Sequence, residues 1–284
     1  MPVTLLENNY GAAHVHLVKV RRVQDRHDLK ELSVGVQLTG DFESSYETGD
    51  NRNILPADTI KNTVYALAKL YPIEQIEQFG QELIQHFLTD NQQVRKVRVE
   101  IAEHLWERIP FGGKPHPWSF SPLGRERRIA IVTGTREAVL IEAGLDNLRV
   151  IKTAGSGFQG YVHDPFTTLQ ETADRILATE VKATWQYSDN EIPFAVYWHG
   201  VQEAIVETLV EHESLSMQNT LHSIAEAVLE RYGDIAEIHL WVPNKDFRLV
   251  DLGKFGLENN NEVFVPAEEA YELIEARLRR ETID

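Results

Sequence analysis

The chain has 284 residues, 42% of them hydrophobic and 25% charged, enough for two ordinary domains with buried cores and unlike a disordered or fibrous chain. Its 28 basic residues against 44 acidic ones leave a formal net charge of -16, which repels phosphate backbones and argues against a general nucleic-acid role. No cysteine occurs, which removes disulfides, thiolate metal sites and a cysteine nucleophile together, and fits a cytoplasmic location.

The N-terminus, MPVTLLENNYG, carries no basic stretch followed by an apolar one, so no signal peptide is expected. With no run of about 18 apolar residues, no membrane-spanning helix is expected either. From Val15 to Val20, and again in the clean alternation Leu32, Val34, Val36, Leu38, the pattern predicts two antiparallel strands joined through RRVQDRHD. Ile60, Val64, Leu67 and Ala68 follow helical spacing behind Asp58, which suits a helix N-cap. A second helix follows Pro72, with Ile76, Phe79, Leu83, Ile84 and Phe87 on one face. Val97, Val99 and Ile101 return to strand. The segment IPFGGKPHPWSFSPLGRER, broken by Pro110, Pro115, Pro117 and Pro122 with Gly112 and Gly113, reads as a long irregular connection with packed aromatics at Trp118 and Phe120. Strand resumes at Ile129–Thr133 and at Val139–Ile141.

The second half repeats this plan. Leu148–Lys152 and Ala183–Tyr187 read as strands, and Val201, Ile205 and Leu209 as one helix. Leu221, Ile224, Ala225, Val228 and Leu229 form another. Ile238, Leu240 and Val242 alternate as a strand, with Phe247–Leu252 expected to pair beside it. YELIEARLRR is ambiguous between helix propensity and the alternation of Ile274, Ala276 and Leu278. Each half thus carries two strands, two helices and two strands, which predicts an α+β chain of two tandem domains, 1–136 and 137–284. Each would be an antiparallel four-stranded sheet with two helices on one face. The open edges of such sheets favour a homo-oligomer.

Chemistry is expected around Phe158 and Arg175. A ring can stack on a flat heterocycle while a guanidinium holds two acceptors in its plane. The plainer alternative makes Phe158 a core aromatic and Arg175 the i, i+4 partner of Glu171 on a helix, and spacing alone favours it. Gln218, at the start of a helix, has a donor and an acceptor to offer a ligand edge, or is a solvated side chain. Asn244 and Asp246 would share one side of a regular strand, although PNKD is also good turn chemistry. The eleven histidines show no metal-ligand spacing, and His14 with His16 is too weak a pair for a metal site. GSGFQG lacks the dinucleotide fingerprint, and no nucleophile elbow appears.

These residues resemble those of the urate oxidases, or uricases, of the tunnelling fold. The similarity runs through Leu148, Val150, Lys152, Thr153, Ser156, Phe158, Tyr161, Phe166, Leu169 and Arg175, and through NNYG, DTIKNTVYA, GKPHPWSF and PNK, covering nearly the whole chain. The resemblance implies a cofactor-free, metal-free oxidase that turns urate, dioxygen and water into 5-hydroxyisourate and hydrogen peroxide. It also implies a homotetramer with sites between subunits, and makes YELIEARLRR a strand. By position, the ring that stacks on substrate looks like Phe158 and the clamp like Arg175 and Gln218, with Met217 and Leu169 beside them. The residue near the oxygen or water position looks like Asn244, and a neighbouring subunit's backbone amide looks like that of Asp58. The family's proton relay is a lysine, a threonine and a histidine, and here those positions hold Ala12, Ala57 and Asp246. Two alanines transfer no protons; Asp246 remains a candidate base but does not donate as an imidazolium does.

Overall fold

The computed structural model describes residues 3–267 and 272–281. The elements are β1 (Tyr10–Val23), β2 (Arg26–Gly40), α1 (Glu43–Thr48), α2 (Ala57–Leu70), α3 (Ile76–Asp90), β3 (Val94–Phe111), β4 (Lys114–Gly134), β5 (Val139–Lys152) and β6 (Leu177–Tyr187). They continue as α4 (Phe194–Glu211), α5 (Met217–Arg231), β7 (Ile235–Trp241), β8 (Asn244–Lys245), β9 (Phe247–Leu249), β10 (Phe264–Pro266) and β11 (Glu275–Arg279). The chain divides into two compact units: Met1–Leu145 with Gln186–Val196, and Asp146–Trp185 with Tyr197–Asp284.

In the first unit the antiparallel order is β1-β2-β3-β4, leading into the first half of β5. Alternation decides what each face meets. Leu32, Val34, Val36 and Leu38 of β2, with Val97, Val99 and Ile101 of β3, are fully or almost fully buried. Beneath them lie Ile60, Val64 and Leu67 of α2 and Phe79, Leu83, Ile84 and Phe87 of α3. At about 25 cal/mol per Å² of apolar surface removed from water, this face supplies most of the drive to fold the unit. Gly80 lets α3 approach the sheet closely, since a Cβ there would meet Val132 Cγ2 at 2.6 Å.

In the second unit the order is β5 (second half)-β6-β7-β11, with β8 added against β6. Its core comprises Val181, Ala183 and Trp185 of β6, Val201 and Ile205 of α4, Leu221, Ile224 and Val228 of α5, and Ile238 and Leu240 of β7. The α+β architecture expected from the sequence is present, including β11 as the strand within YELIEARLRR. Tyr271 of that segment lies outside the described residues.

Four local expectations are corrected. RRVQDRHD is mostly strand: β1 and β2 pair as far as Val23↔Arg26, and only Gln24, at φ 46, and Asp25 make the turn. The proline-rich 109–127 segment is a hairpin, not an irregular connection. Its tip is Gly112–Gly113 with φ 59 and 77, the positive pair that a two-residue hairpin turn requires. Pro110 stands opposite Pro115, so neither owes the other an amide donor, and register shifts after His104 and Arg108 take up the remaining irregularity. Trp118 is 55% exposed rather than packed, while the Arg108 guanidinium sits 4.9 Å over the Phe120 ring. Phe247–Leu249 pairs with β10, not beside Ile238–Val242, whose strand β7 is instead flanked by β11. Asp58 is not the helix cap. Pro56 holds that position without a side-chain bond, and Asp58 lies in the first turn of α2.

Candidate functional site

The stretch between β5 and β6 has no helix, so Glu171 and Arg175 are not a helical i, i+4 pair. Instead Phe158 and Thr172 exchange both backbone hydrogen bonds, at 2.8 and 3.1 Å, and Arg175 donates its amide to the Ser156 carbonyl at 2.6 Å. This local ladder folds the segment back on itself, so that residues 17 apart in sequence meet. The Arg175 guanidinium carbon stands 5.3 Å over the Phe158 ring centroid, a cation–π distance. Glu171 accepts from the Gly160 amide at 3.1 Å. Phe158 also stacks on Tyr161, centroids 4.8 Å apart and planes 16° apart, and Tyr161 donates its hydroxyl to the Leu169 carbonyl. The Leu169 side chain itself is exposed.

A second seam ties this ladder to α5. Gly157 donates to the Ser214 carbonyl at 2.8 Å and Ser214 to the Gly155 carbonyl at 3.1 Å. Ser216 caps α5 by accepting from the Asn219 amide. The first turn of that helix therefore adjoins the Phe158 segment, with Met217 buried and Gln218 exposed. A third seam brings in Asn244, which is buried, pairs with Thr179 of β6 and donates Nδ2 to Glu272 Oε2 at 3.3 Å. Asp246, two residues on, is exposed beyond the end of β8. The two side chains do not share a side of a regular strand, and PNKD is not a turn.

This end of the second unit holds three buried polar atoms without a hydrogen-bond partner among the described residues: Arg175 Nε, Ser156 Oγ and Thr179 Oγ1. Buried donors and acceptors are nearly always satisfied, since leaving one bare costs roughly 1–3 kcal/mol. Ser156 and Arg175 share a backbone bond, whereas Thr179 lies on β6 beside Asn244. Thr179 and Glu272 carried no sequence signal: one reads as an ordinary strand residue, and the other lies 28 positions from the asparagine it meets.

Ala12, Ala57 and Asp58 belong to the first unit. Ala12 pairs with Val36 near the start of β1, and Ala57 opens α2. The two elements adjoin there, because the Leu55 amide donates to the Tyr10 hydroxyl at 2.8 Å. Asp58 is exposed and bonds Lys61 and Asn62. Lys61 holds its carboxyl below the usual range. Among the described residues no group of three His, Asp or Glu side chains is placed to hold a metal ion, and no helix is long and apolar enough to cross a membrane.

The uricase family model matches residues 8–133 and 141–275. The chain belongs to the uricase family. It is 41% identical over 281 residues to the uricase of Arthrobacter globiformis, covering 98% of this chain and 91% of that one. It is 34% identical to the uricase of Danio rerio, over 93% and 91% of the two chains. The crystal structure of the Arthrobacter globiformis uricase superposes with a TM-score of 0.94 at 40% identity, covering 99% of this chain and 96% of that one. The helix pairs on antiparallel sheets are thus those of the tunnelling fold.

Proposed function

We propose that this uricase-family chain binds urate or a closely related oxopurine and oxidises it without a cofactor, through an altered proton relay. The observation that carries the binding half is Arg175: its guanidinium stands over Phe158 with a buried Nε that no described residue satisfies. A flat oxopurine beside that ring would give the guanidinium two in-plane acceptors, and the Gln218 amide would complete the edge. Met217, Leu169 and the Asp58 amide complete the proposed lining. Asn244 is assigned to the oxygen or water position.

In the proposed reaction the purine loses two electrons to dioxygen, which becomes hydrogen peroxide, and water supplies the hydroxyl of 5-hydroxyisourate. Asp246 and ordered water take the protons that lysine, threonine and histidine move elsewhere in the family. Ala12 and Ala57 contribute nothing to that transfer. The residues assigned to the site fall into two groups, 12, 57 and 58 in the first unit and 158–246 in the second. We therefore include in the proposal a cytoplasmic homotetramer whose sites are shared between copies of two tunnelling-fold domains, 1–136 and 137–284.

A second reading follows from the two alanines: a purine-binding protein in which turnover has been lost. Hydrolysis or hydroxylation of a modified purine in the same pocket, with Asp246 as base, is a third outcome of the same test. Purified protein is assayed for urate depletion by ultraviolet absorbance, for oxygen uptake across pH, and for heat with urate and xanthine. Oxygen uptake with urate loss supports the oxidase; heat without turnover supports the binding protein; no heat with any oxopurine rejects both.

A further inference from the structure

One face of the Phe158 ring is covered from within its own segment. The Tyr161 ring lies on it with centroids 4.8 Å and planes 16° apart, and the His163 ring lies on Tyr161 in turn at 4.9 Å and 23°. Both pairs fall in the offset-stacked range. Residues three positions apart on an extended strand point to opposite sides, so the contact between residues 158 and 161 needs a turn. Gly160, at φ 72, supplies it in a backbone region that a side chain would strain.

Each ring of this row is also tied to the opposite limb of the segment. Phe158 is held by its backbone pair with Thr172, and Tyr161 by the bond from its hydroxyl to the Leu169 carbonyl at 2.7 Å. His163 Nε2 stands 3.5 Å from Glu171 Oε1, the oxygen that also accepts the Gly160 amide at 3.1 Å. The stack thus has supports that do not depend on Arg175. A flat ligand on Phe158 is left the face turned away from Tyr161. With that ring behind it Phe158 has little room to tilt, and a ligand that meets a ring already held in place loses less freedom on binding. Aromatic pairing at such spacing adds a factor of about 2–10 in affinity beyond the area it covers.

We infer that Tyr161 is a positioning residue of the clamp, fixing the plane and the free face of Phe158 on which the flat ligand stacks. This role rests on the proposed oxopurine binding, and it is separable from it because Tyr161 acts through Phe158. Full-length protein is titrated calorimetrically with xanthine as wild type, Tyr161→Ala, Tyr161→Phe, Phe158→Leu and the double variant Phe158→Leu with Tyr161→Ala. Tyr161→Ala should weaken binding about tenfold at unchanged stoichiometry and melting temperature. Tyr161→Leu, which fills the space without a ring, takes its place if the alanine variant melts early. Tyr161→Phe, which keeps the ring and gives up only the bond to Leu169, should recover most of the loss. In the Phe158→Leu background, removing Tyr161 should change affinity less than about twofold, because the ring it supports is gone. Wild-type affinity in Tyr161→Ala overturns the inference, as does a loss that persists in full in the Phe158→Leu background or that Tyr161→Phe shares. In each of those cases the oxopurine reading stands. No heat from the wild type removes that reading and this role with it.

Discussion

Arg175 projects its guanidinium over the face of Phe158 at 5.3 Å while its Nε lies buried without a hydrogen-bond partner among the described residues. The pair is held by backbone bonds on both sides, Phe158 with Thr172 and Arg175 with Ser156, so its geometry does not depend on the side chains themselves. Arg175→Gln should leave the fold intact and weaken oxopurine binding by roughly 10–100-fold, the loss expected for one charge-assisted hydrogen-bonding group. Calorimetry, alongside an unchanged melting temperature, checks it. Binding within twofold of wild type would remove Arg175 from the clamp.

The proposed relay at positions 12, 57 and 246 makes a gain-of-function prediction. If turnover is limited by proton transfer, installing Ala12→Lys, Ala57→Thr and Asp246→His together should raise kcat by about 10²–10⁴, the usual contribution of positioned acids and bases. KM should change little, since none of the three belongs to the stacking and clamping set. Steady-state oxygen uptake reads both quantities. A KM shift without a kcat gain would argue that these positions affect binding.

Glu77 of α3 is fully buried against Arg128 of β4, which donates to its Oε2 at 2.6 Å and to Gln75 at 3.0 Å. Burial pushes the Glu77 carboxyl up, opposed by the charge and hydrogen bond of Arg128. A carboxyl raised in the folded state keeps its proton to higher pH than the unfolded chain does. Its contribution to stability therefore falls as pH climbs from the unfolded value of about 4.3 toward the folded one. Urea titrations should show this decline in the wild type and lack it in Glu77→Gln. Glu77→Ala, which takes away the carboxylate facing Arg128, should lose about 3–5 kcal/mol.

Glu31 shows the opposite sign. Partial burial raises its pKa, but hydrogen bonds from His16 and from the Trp106 indole N–H, helped by the nearby charge of His104, bring it below the ordinary carboxylate value. Those bonds measure 2.7 and 2.8 Å. The stability they add is present above pH of about 4.3 and is lost as pH falls through the lower folded value. Trp106→Phe removes one donor, so the Glu31 carboxyl should titrate higher when followed by carboxyl carbon resonances. An unmoved resonance would show that the indole bond contributes nothing.

Elements whose partner is the core were the easiest to read. The alternation from Leu32 to Leu38 and the helical spacing from Ile60 to Ala68 each record one buried face, and burial follows both. Phe158 and Arg175 were singled out only by the family resemblance, since their spacing alone favours a core ring and a helical i, i+4 pair, and the non-helical ladder that brings them together leaves no periodicity. The 109–127 hairpin was not, since proline and glycine break regular structure locally, and only the facing strand reveals that Pro110 and Pro115 sit opposite one another. Asn244 was found without its partner Glu272, because a hydrogen bond across 28 residues leaves no periodicity. The exposure of Asp246 follows from β8 stopping after two residues, which depends on its pairing with β6.

The outer part of the β3–β4 hairpin shows Phe111 and Trp118 at its surface, 78% and 55% exposed. Such aromatic strand segments are ordinarily templates for runaway strand addition. Here Pro110, Pro115, Pro117 and Pro122 each delete an amide donor, and the register shift after His104 bends the segment away from a straight ladder. An incoming strand meets gaps where it needs donors. The prolines that disguise the hairpin in the sequence are therefore the same residues that withhold donors from an incoming strand.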